Sequence, residues 1–313
     1  MRWLYAPEYD YGRNLPRHRA VHGFALDRAS RIRQHLITAD VCAEADFTAP
    51  TPVSEAEVAE VHDPGVVADL RDAFAVSRVV EFEALALLPP EVVWEAAVAP
   101  QLWAAGGTCD ALAVAAEDGS WSANLSGGFH HARPDLSHGS CLVNDLALAV
   151  ARLRRSGRLP RILVVDLDLH QGDGNAAFFA KEERVFTFSM HEQSAFPVPK
   201  ALSDLDVGLP QRTGDEDYLA RLELGLAEVE ERFSPEVVVY VAGSDPFSRD
   251  PLGTLQLSPE GLVARDGCVA RFAADRGCAL VTLPAGGYCH ESAALSAAGL
   301  AEIAGVAVRA ERG

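Results

Sequence analysis

The sequence lacks any uninterrupted apolar run of the roughly 18 to 20 residues that a membrane-crossing helix needs, which argues against a membrane role. Its opening, M-R-W-L-Y-A-P-E-Y-D, turns polar within ten residues and does not read as a secretory signal, so a cytoplasmic location is expected. No C-x-x-C pair occurs among the six cysteines, at 42, 109, 141, 268, 278 and 289. Scattered singly, they read as reduced and mostly buried thiols rather than a disulfide framework. Basic residues are in deficit: 27 Lys and Arg stand against 45 Asp and Glu, for a net charge of -18. Such a surface repels phosphate backbones and disfavours nucleic-acid binding. It would attract a cationic substrate, although solubility alone accounts for it. There is no internal repeat, low-complexity tract or interdomain linker.

What is present is a chain of 313 residues, 49% apolar, enough to bury a sizeable core. Its middle and end alternate between short β-branched runs and longer amphipathic stretches. Strands are predicted at Trp3 to Tyr5, Arg161 to Asp168, Val185 to Met190, Val237 to Ala242 and Ala279 to Pro284. Continuous apolar runs of this kind suit a parallel sheet covered on both faces. Helices are predicted over 17–38, 95–117, 140–156, 214–233, 258–276 and 291–309, with Ser258-Pro259 supplying a cap and a first-turn proline. The rhythm implies one α/β domain spanning 1–313, with a mainly parallel central sheet flanked by helices on both faces. Long loops near 126–140 and 191–213 hold several Gly, Pro and His residues and are where function is expected.

Four segments carry chemistry. In V-V-D-L-D-L-H-Q-G-D-G (164–174), period-two alternation points Asp166, Asp168 and His170 to one side of a strand end. Three polar groups on one side of an apolar strand are costly unless something binds them, and a divalent metal is the natural occupant. Two rivals stay open for this segment: an Asp that caps the next helix, and a phosphohydrolase with Mg2+ at its D-x-D. The segment G-G-F-H-H-A-R-P (127–134) puts two histidines on an irregular loop, suited to acid–base work near neutral pH. Asp166 and Asp173 are available to orient them. In V-Y-V-A-G-S-D-P-F-S-R-D-P-L-G (239–253), Asp245 follows a third buried strand and brings a second carboxylate beside Asp168 and His170, unless it is merely a turn residue. One His and two Asp form a ligand set with room for water, as catalytic zinc or ferrous iron needs. In L-P-A-G-G-Y (283–288), the Tyr288 hydroxyl is either an aromatic plug's polar tip or a donor to an oxyanion.

Together with A-G-G-T (105–108) and G-S-C-L-V-N-D (139–145), these segments resemble, in order and spacing, the zinc-dependent histone deacetylases of the arginase–deacetylase superfamily. The resemblance runs from about residue 3 to 308. H-Q-G-D-G, G-D-E-D-Y-L (214–219) and L-S-P-E-G-L (257–262) are most similar to class IV members and bacterial relatives. It implies that Asp168, His170 and Asp245 hold Zn2+, with Fe2+ as the alternative. It implies that His131, supported by Asp173, is general base and then general acid, and that His130, paired with Asp166, steadies charge. It makes Tyr288 the oxyanion donor, and it implies a structural K+ held by Asp166, Asp168, His170, Ser189 and Met190. Gly128, Phe129, Ser140, Phe196, Leu252, Gly286 and Gly287 would line the substrate channel.

The departures concern substrate. Lysine deacetylases commonly clamp the lysyl methylenes between two aromatics. Ser140 stands where the first would be, whereas Phe196 keeps the second, so a channel open on one side is expected, accepting a longer acyl chain or another amide. Leu252 stands where polyamine-specific relatives can carry a glutamate, which weakens an acetylpolyamine reading. Gln171 replaces a second histidine found in many members. The implied substrate is an acylated lysine or a small acylated amine. The alternatives are an acetylpolyamine deacetylase and, more distantly, a binder of acyl amides without catalysis. Oligomeric state is not legible.

Overall fold

The computed structural model describes residues 1–12, 20–21 and 24–310. Its strands are β1 (Arg2–Leu4), β2 (Ala20–Val21), β3 (Phe24–Ala25), β4 (Phe47–Thr48), β5 (Ser122–Asn124), β6 (Ile162–Asp166), β7 (Val185–Glu192), β8 (Leu205–Leu209), β9 (Val237–Val241) and β10 (Ala279–Leu283). Its α-helices are α1 (Arg28–Thr38), α2 (Glu55–Val58), α3 (Pro64–Asp69), α4 (Ala73–Val79), α5 (Pro90–Val93), α6 (Ala99–Asp118), α7 (Asp145–Arg155), α8 (Asp173–Phe179), α9 (Asp215–Arg232), α10 (Pro259–Asp275) and α11 (Ser292–Ala310). Eight strands form one sheet in the order β4-β1-β5-β10-β9-β6-β7-β8, parallel throughout. The remaining two, β2 and β3, make a small antiparallel hairpin.

The central strands are apolar on both faces because both faces are covered. Ile162, Val164, Val237, Val239, Val241, Val281 and Leu283 pack with Leu102, Leu112, Leu146 and Val150 of α6 and α7. The intervening Leu163, Val165, Val238, Tyr240 and Leu280 pack with Leu222, Leu262, Val269 and Ile303 of α9, α10 and α11. After β5 the chain crosses to β6, runs outward through β7 and β8, and returns to insert β9 and β10 between β5 and β6. The carboxyl ends of β5, β10, β9 and β6 therefore lie side by side on one edge, the position at which open parallel sheets bind ligands.

Some expectations need correction. The helix predicted over 17–38 begins at Arg28; residues before it form the β2–β3 hairpin, and 17–19, 22 and 23 lie outside the described residues. The β-branched Val21 and aromatic Phe24 are weaker helix formers and suit the short strands seen there. The helix predicted over 140–156 starts at Asp145, because the Asn144 side chain caps it by accepting from Ala147 N at 2.8 Å. Ser140 itself has a left-handed φ of 61°. The absence of a long apolar run also hid one fact: α11 is long and apolar enough, by length and composition, to cross a membrane. Its Ala and Gly content lowers polarity without making a continuous run. Here its buried face packs on α10 and α1.

Candidate active site

β6 ends at Asp166 and the chain bends over 168–170, where Asp166 and Asp168 accept from the backbone N–H two residues on, yet the side chains still alternate. Leu167 and Leu169 join the core beneath α9 and α10, while Asp166, Asp168 and His170 turn to the other side. The loop after β9 brings Asp245 to them. The ligand atoms of Asp168, His170 and Asp245 all lie within 4.8 Å of one another, and all three residues are buried. His170 Nδ1 is 3.1 Å from Asp168 Oδ1 and 3.2 Å from Asp245 Oδ2. Asp168 also accepts from His170 N at 2.9 Å and from Gly286 N at 2.8 Å, and Asp245 Oδ1 accepts from Leu169 N at 3.0 Å. Asp245 Oδ2 is buried and accepts no well-aligned hydrogen bond.

The ionisation of the cluster follows from this crowding. Burial and the Asp168 charge push the Asp245 carboxyl up. Burial disfavours a charged His170, yet Asp168 and Asp245 outweigh it and raise the imidazole to about 10. Two carboxylates thus draw a positive charge to the point between them, and an orphaned carboxylate oxygen faces it. These residues fit a divalent cation of the kind that accepts one imidazole and two carboxylates.

The two adjacent histidines sit on the loop after β5. Gly127 and Gly128 take φ of 93° and 80°, a conformation that only glycine adopts readily. Asp145 fixes this turn by accepting from Gly128 N and Phe129 N, each at 2.8 Å. His130 Nδ1 donates to Asp166 Oδ2 at 2.8 Å, and His131 Nδ1 donates to Asp173 Oδ1 at 2.8 Å. The two rings are 4.0 Å apart, and His131 lies 5.7 Å from the His170 ring. Their environments drive them apart. For His130, Asp166 and Asp168 overcome burial and raise the group to about 9. For His131, burial and the neighbouring His130 lower it to about 3. One imidazole is held as a cation and the other is held neutral, with Nε2 open to a proton.

Tyr288 follows β10. Its backbone N–H donates to Asp250 Oδ2 at 2.8 Å, and its ring lies perpendicular to that of His170 at 6.4 Å. Gly286 must be glycine for reasons of space: a Cβ there would lie 2.4 Å from Asp245 Oδ2 and 2.5 Å from Asp168 Oδ2. His130, His131, Asp168, His170 and Tyr288 face a cavity of about 460 Å3, also lined by Gly128, Phe129, Ser140, Phe196, Leu252 and Gly286. Gly287, expected in the channel, is not on its wall; it packs beside Ser244 and Arg28. Ser189 pairs with Asp166 across the β6–β7 ladder, and Met190 is buried next to it.

Several residues at this site had no role in the sequence reading. Arg28, buried at the start of α1, donates to the carbonyls of Ala285, Pro284 and Gly286 and so holds the turn before Tyr288. Asp250 accepts from Tyr288, Cys289 and Leu252 N–H groups. His138 places Nε2 3.0 Å from Asp173 Oδ2, so that carboxylate serves two imidazoles. Asp145 and Asp250 lie within the segments 139–145 and 239–253. Arg28 lay in a predicted helix with nothing to distinguish it from a surface cation.

Comparisons with known proteins bear on the family and the fold. Residues 22–304 match the family model described as the histone deacetylase domain. The chain is 31% identical over 276 residues to histone deacetylase 2 of Arabidopsis thaliana, covering 87% of this chain and 71% of that protein. It is 36% identical over 151 residues to histone deacetylase 8 of Xenopus laevis, covering 44% and 46%. Among solved structures, an HDAC homologue from Aquifex aeolicus superposes with a TM-score of 0.77 at 24% identity, over 97% of this chain and 84% of that one. Acetylpolyamine aminohydrolase from Burkholderia pseudomallei superposes with a TM-score of 0.72 at 20% identity, over 98% of each. A domain match across nearly the whole sequence, on an all-parallel sheet that gathers an Asp–His–Asp cluster and two carboxylate-bound histidines at one edge, has one meaning: the chain belongs to the histone deacetylase family.

Proposed function

We propose that the protein is a metal-dependent hydrolase that removes an acyl group from an acylated lysine or a similar small acylated amine. Its family supports deacetylase or amidohydrolase activity. The observation that carries the finer reading is that Asp168 and His170 of the metal-binding cluster, a neutral histidine and a tyrosine all face one cavity, with Asp245 completing the cluster beside them. Asp168, His170 and Asp245 would hold Zn2+, with Fe2+ the alternative, and the ion would polarise the acyl carbonyl and lower the pKa of water to about 7.

The protein's own groups supply the rest. His131, kept neutral by burial, takes a proton from the attacking water at Nε2 and later gives it to the leaving amine. Asp173 fixes its tautomer from the other nitrogen. His130, held cationic by Asp166 and Asp168, stabilises negative charge as it develops. The Tyr288 hydroxyl donates to the oxyanion; burial and the Asp245 and Asp168 charges keep it protonated. A structural K+ held by oxygens of Asp166, Asp168, His170, Ser189 and Met190 is part of this proposal, supported by the pairing of Ser189 with Asp166.

Ser140 leaves one side of the channel without an aromatic wall, and the same cavity reaches Val80, Phe82, Leu85, Ala96 and Ala97. That apolar lobe supports acyl groups longer than acetyl. One observation favours a second reading. Leu252 offers no charge, but Glu81, exposed and at a φ of 55°, lines the same cavity and could pair with a polyamine ammonium.

The test is hydrolysis of acyl-lysine peptides of graded chain length and of acetylated polyamines by zinc-loaded protein, with Asp168→Asn and Tyr288→Phe as controls. Activity abolished in both variants is expected. Full activity in Asp168→Asn would refute the proposal, and a strong preference for acetyl would refute the long-chain form of it.

A further inference from the structure

Behind the metal-binding cluster lies a buried charge that the proposed chemistry does not use. Arg265, on α10, is 1% exposed, and Asp266 beside it is 4% exposed. A buried ion pair is a weak device for stability, because desolvation consumes much of the attraction. An apolar pair would fill the same volume between α10 and the sheet. What the guanidinium does there is specific. Its Nε and Nη2 donate to Asp266 Oδ1 at 2.9 and 2.8 Å. Its Nη1 donates to two backbone carbonyls, Gly243 at 2.7 Å and Leu167 at 3.2 Å. Asp266 is held in turn by the Tyr240 hydroxyl.

Those two carbonyls belong to the two segments that carry the metal-binding side chains. Leu167 is the residue before Asp168, and Gly243 is two before Asp245. Leu167 side-chain packing places it in the same core layer as Leu262 and Val269 of α10, so the arginine reaches both segments from the side away from the ligands. One nitrogen bridging both carbonyls fixes the separation of the β6 and β9 extensions. Leu167 N to Val241 O at 3.0 Å and Leu169 N to Asp245 Oδ1 at 3.0 Å are the neighbouring ties. The spacing matters because the two carboxylates repel each other until a cation joins them.

We infer that Arg265 is a positioning residue of the metal centre: its guanidinium, anchored on Asp266, holds the Leu167 and Gly243 carbonyls and thereby sets the distance between Asp168 and Asp245. The inference rests on the proposed reading of that cluster as a metal site. Lysine at 265 keeps the charge but has no planar fork, so it cannot hold Asp266 and two carbonyls together.

The experiment measures Zn2+ affinity by competition with a chromogenic chelator, alongside circular dichroism and thermal unfolding of the metal-free protein. The variants are Arg265→Lys and the double variant Arg265→Met/Asp266→Leu, which removes both buried charges so that neither is left unpaired. Leu226→Ala, in the same core layer, is the control for destabilisation alone. Both arginine variants should weaken Zn2+ binding by about tenfold to a hundredfold, as losses around a metal's ligands generally do. Leu226→Ala should lower the unfolding temperature and leave the affinity within twofold. The inference is overturned if either folded arginine variant binds Zn2+ as tightly as the wild type, or if the control loses affinity equally. Wild-type protein that bound no divalent metal would overturn the underlying reading of the cluster instead.

Discussion

Replacing Asp173 with Asn tests the base assignment most directly, because it removes a charge while changing almost no volume. Asp173 Oδ1 is 2.8 Å from His131 Nδ1, and Oδ2 is 3.0 Å from His138 Nε2. His131 and His138 outweigh burial and hold the carboxyl well below the usual carboxylate range, so the wild-type group is ionised across the working pH. When His131 takes a proton, the new imidazolium faces this carboxylate. Charge centres about 4 Å apart, at an effective dielectric of about 20, attract by about 4 kcal/mol. The amide forfeits that attraction, which at about 1.4 kcal/mol per decade corresponds to roughly a thousandfold in rate. If the amide NH2 turns towards His131, the imidazole is forced into the tautomer that cannot accept a proton at Nε2, and the loss has the same direction. Asp173 is not on the cavity wall, so the effect belongs in kcat, with KM little changed. The assay is steady-state hydrolysis of the best acyl-lysine peptide, with metal content and circular dichroism measured on the same preparation. A variant within tenfold of the wild type, fully metallated and folded, would refute the role given to the His131–Asp173 pair.

Three further outcomes follow from the geometry. Gly286→Ala puts a methyl group within 2.5 Å of both metal-site carboxylates; metal analysis after dialysis should find the ion lost while the far-ultraviolet spectrum persists. Leu252→Glu places a carboxylate at the cavity mouth, on a side chain now 46% exposed, and should lower KM for acetylpolyamines by several-fold relative to a neutral amide; equal KM values would show that this position does not read the amine. Glu57→Gln should lower the unfolding temperature at pH 7. Arg152 depresses the Glu57 carboxyl to about 2, against about 4.3 for an ordinary glutamate, so its stabilisation is present above the higher value and is lost as pH falls through the lower one. With the pair partly in solvent the effect is at most about 1 kcal/mol, or about 2 °C, and the two melting curves should converge near pH 2.

The parts of this molecule that were legible in its sequence are those where one strand's worth of residues determines the outcome. A buried parallel strand must be apolar on both faces, so R-I-L-V-V-D announced β6, and period-two alternation then put Asp166, Asp168 and His170 on one side. The same logic found β7, β9 and β10 and the long helices that cover them. It failed for β4, β5 and β8. With two or three residues, β4 and β5 have no period to detect, and β8 is an edge strand whose L-D-V-G-L pattern is half exposed. The site divides in the same way. Side chains that perform chemistry lie at strand ends inside motifs, whereas those that hold them arrive from distant sequence. Arg28 reaches the Gly286 carbonyl from 258 positions away, and Arg265 reaches Leu167 from 98 positions away. Neither contact leaves a local mark, because an arginine in an amphipathic helix reads as solvated until the fold buries it. What betrays such a residue is the cost of its burial: a charge taken out of water must be matched by acceptors. At this site those acceptors are the backbone carbonyls of the loops that carry the chemistry.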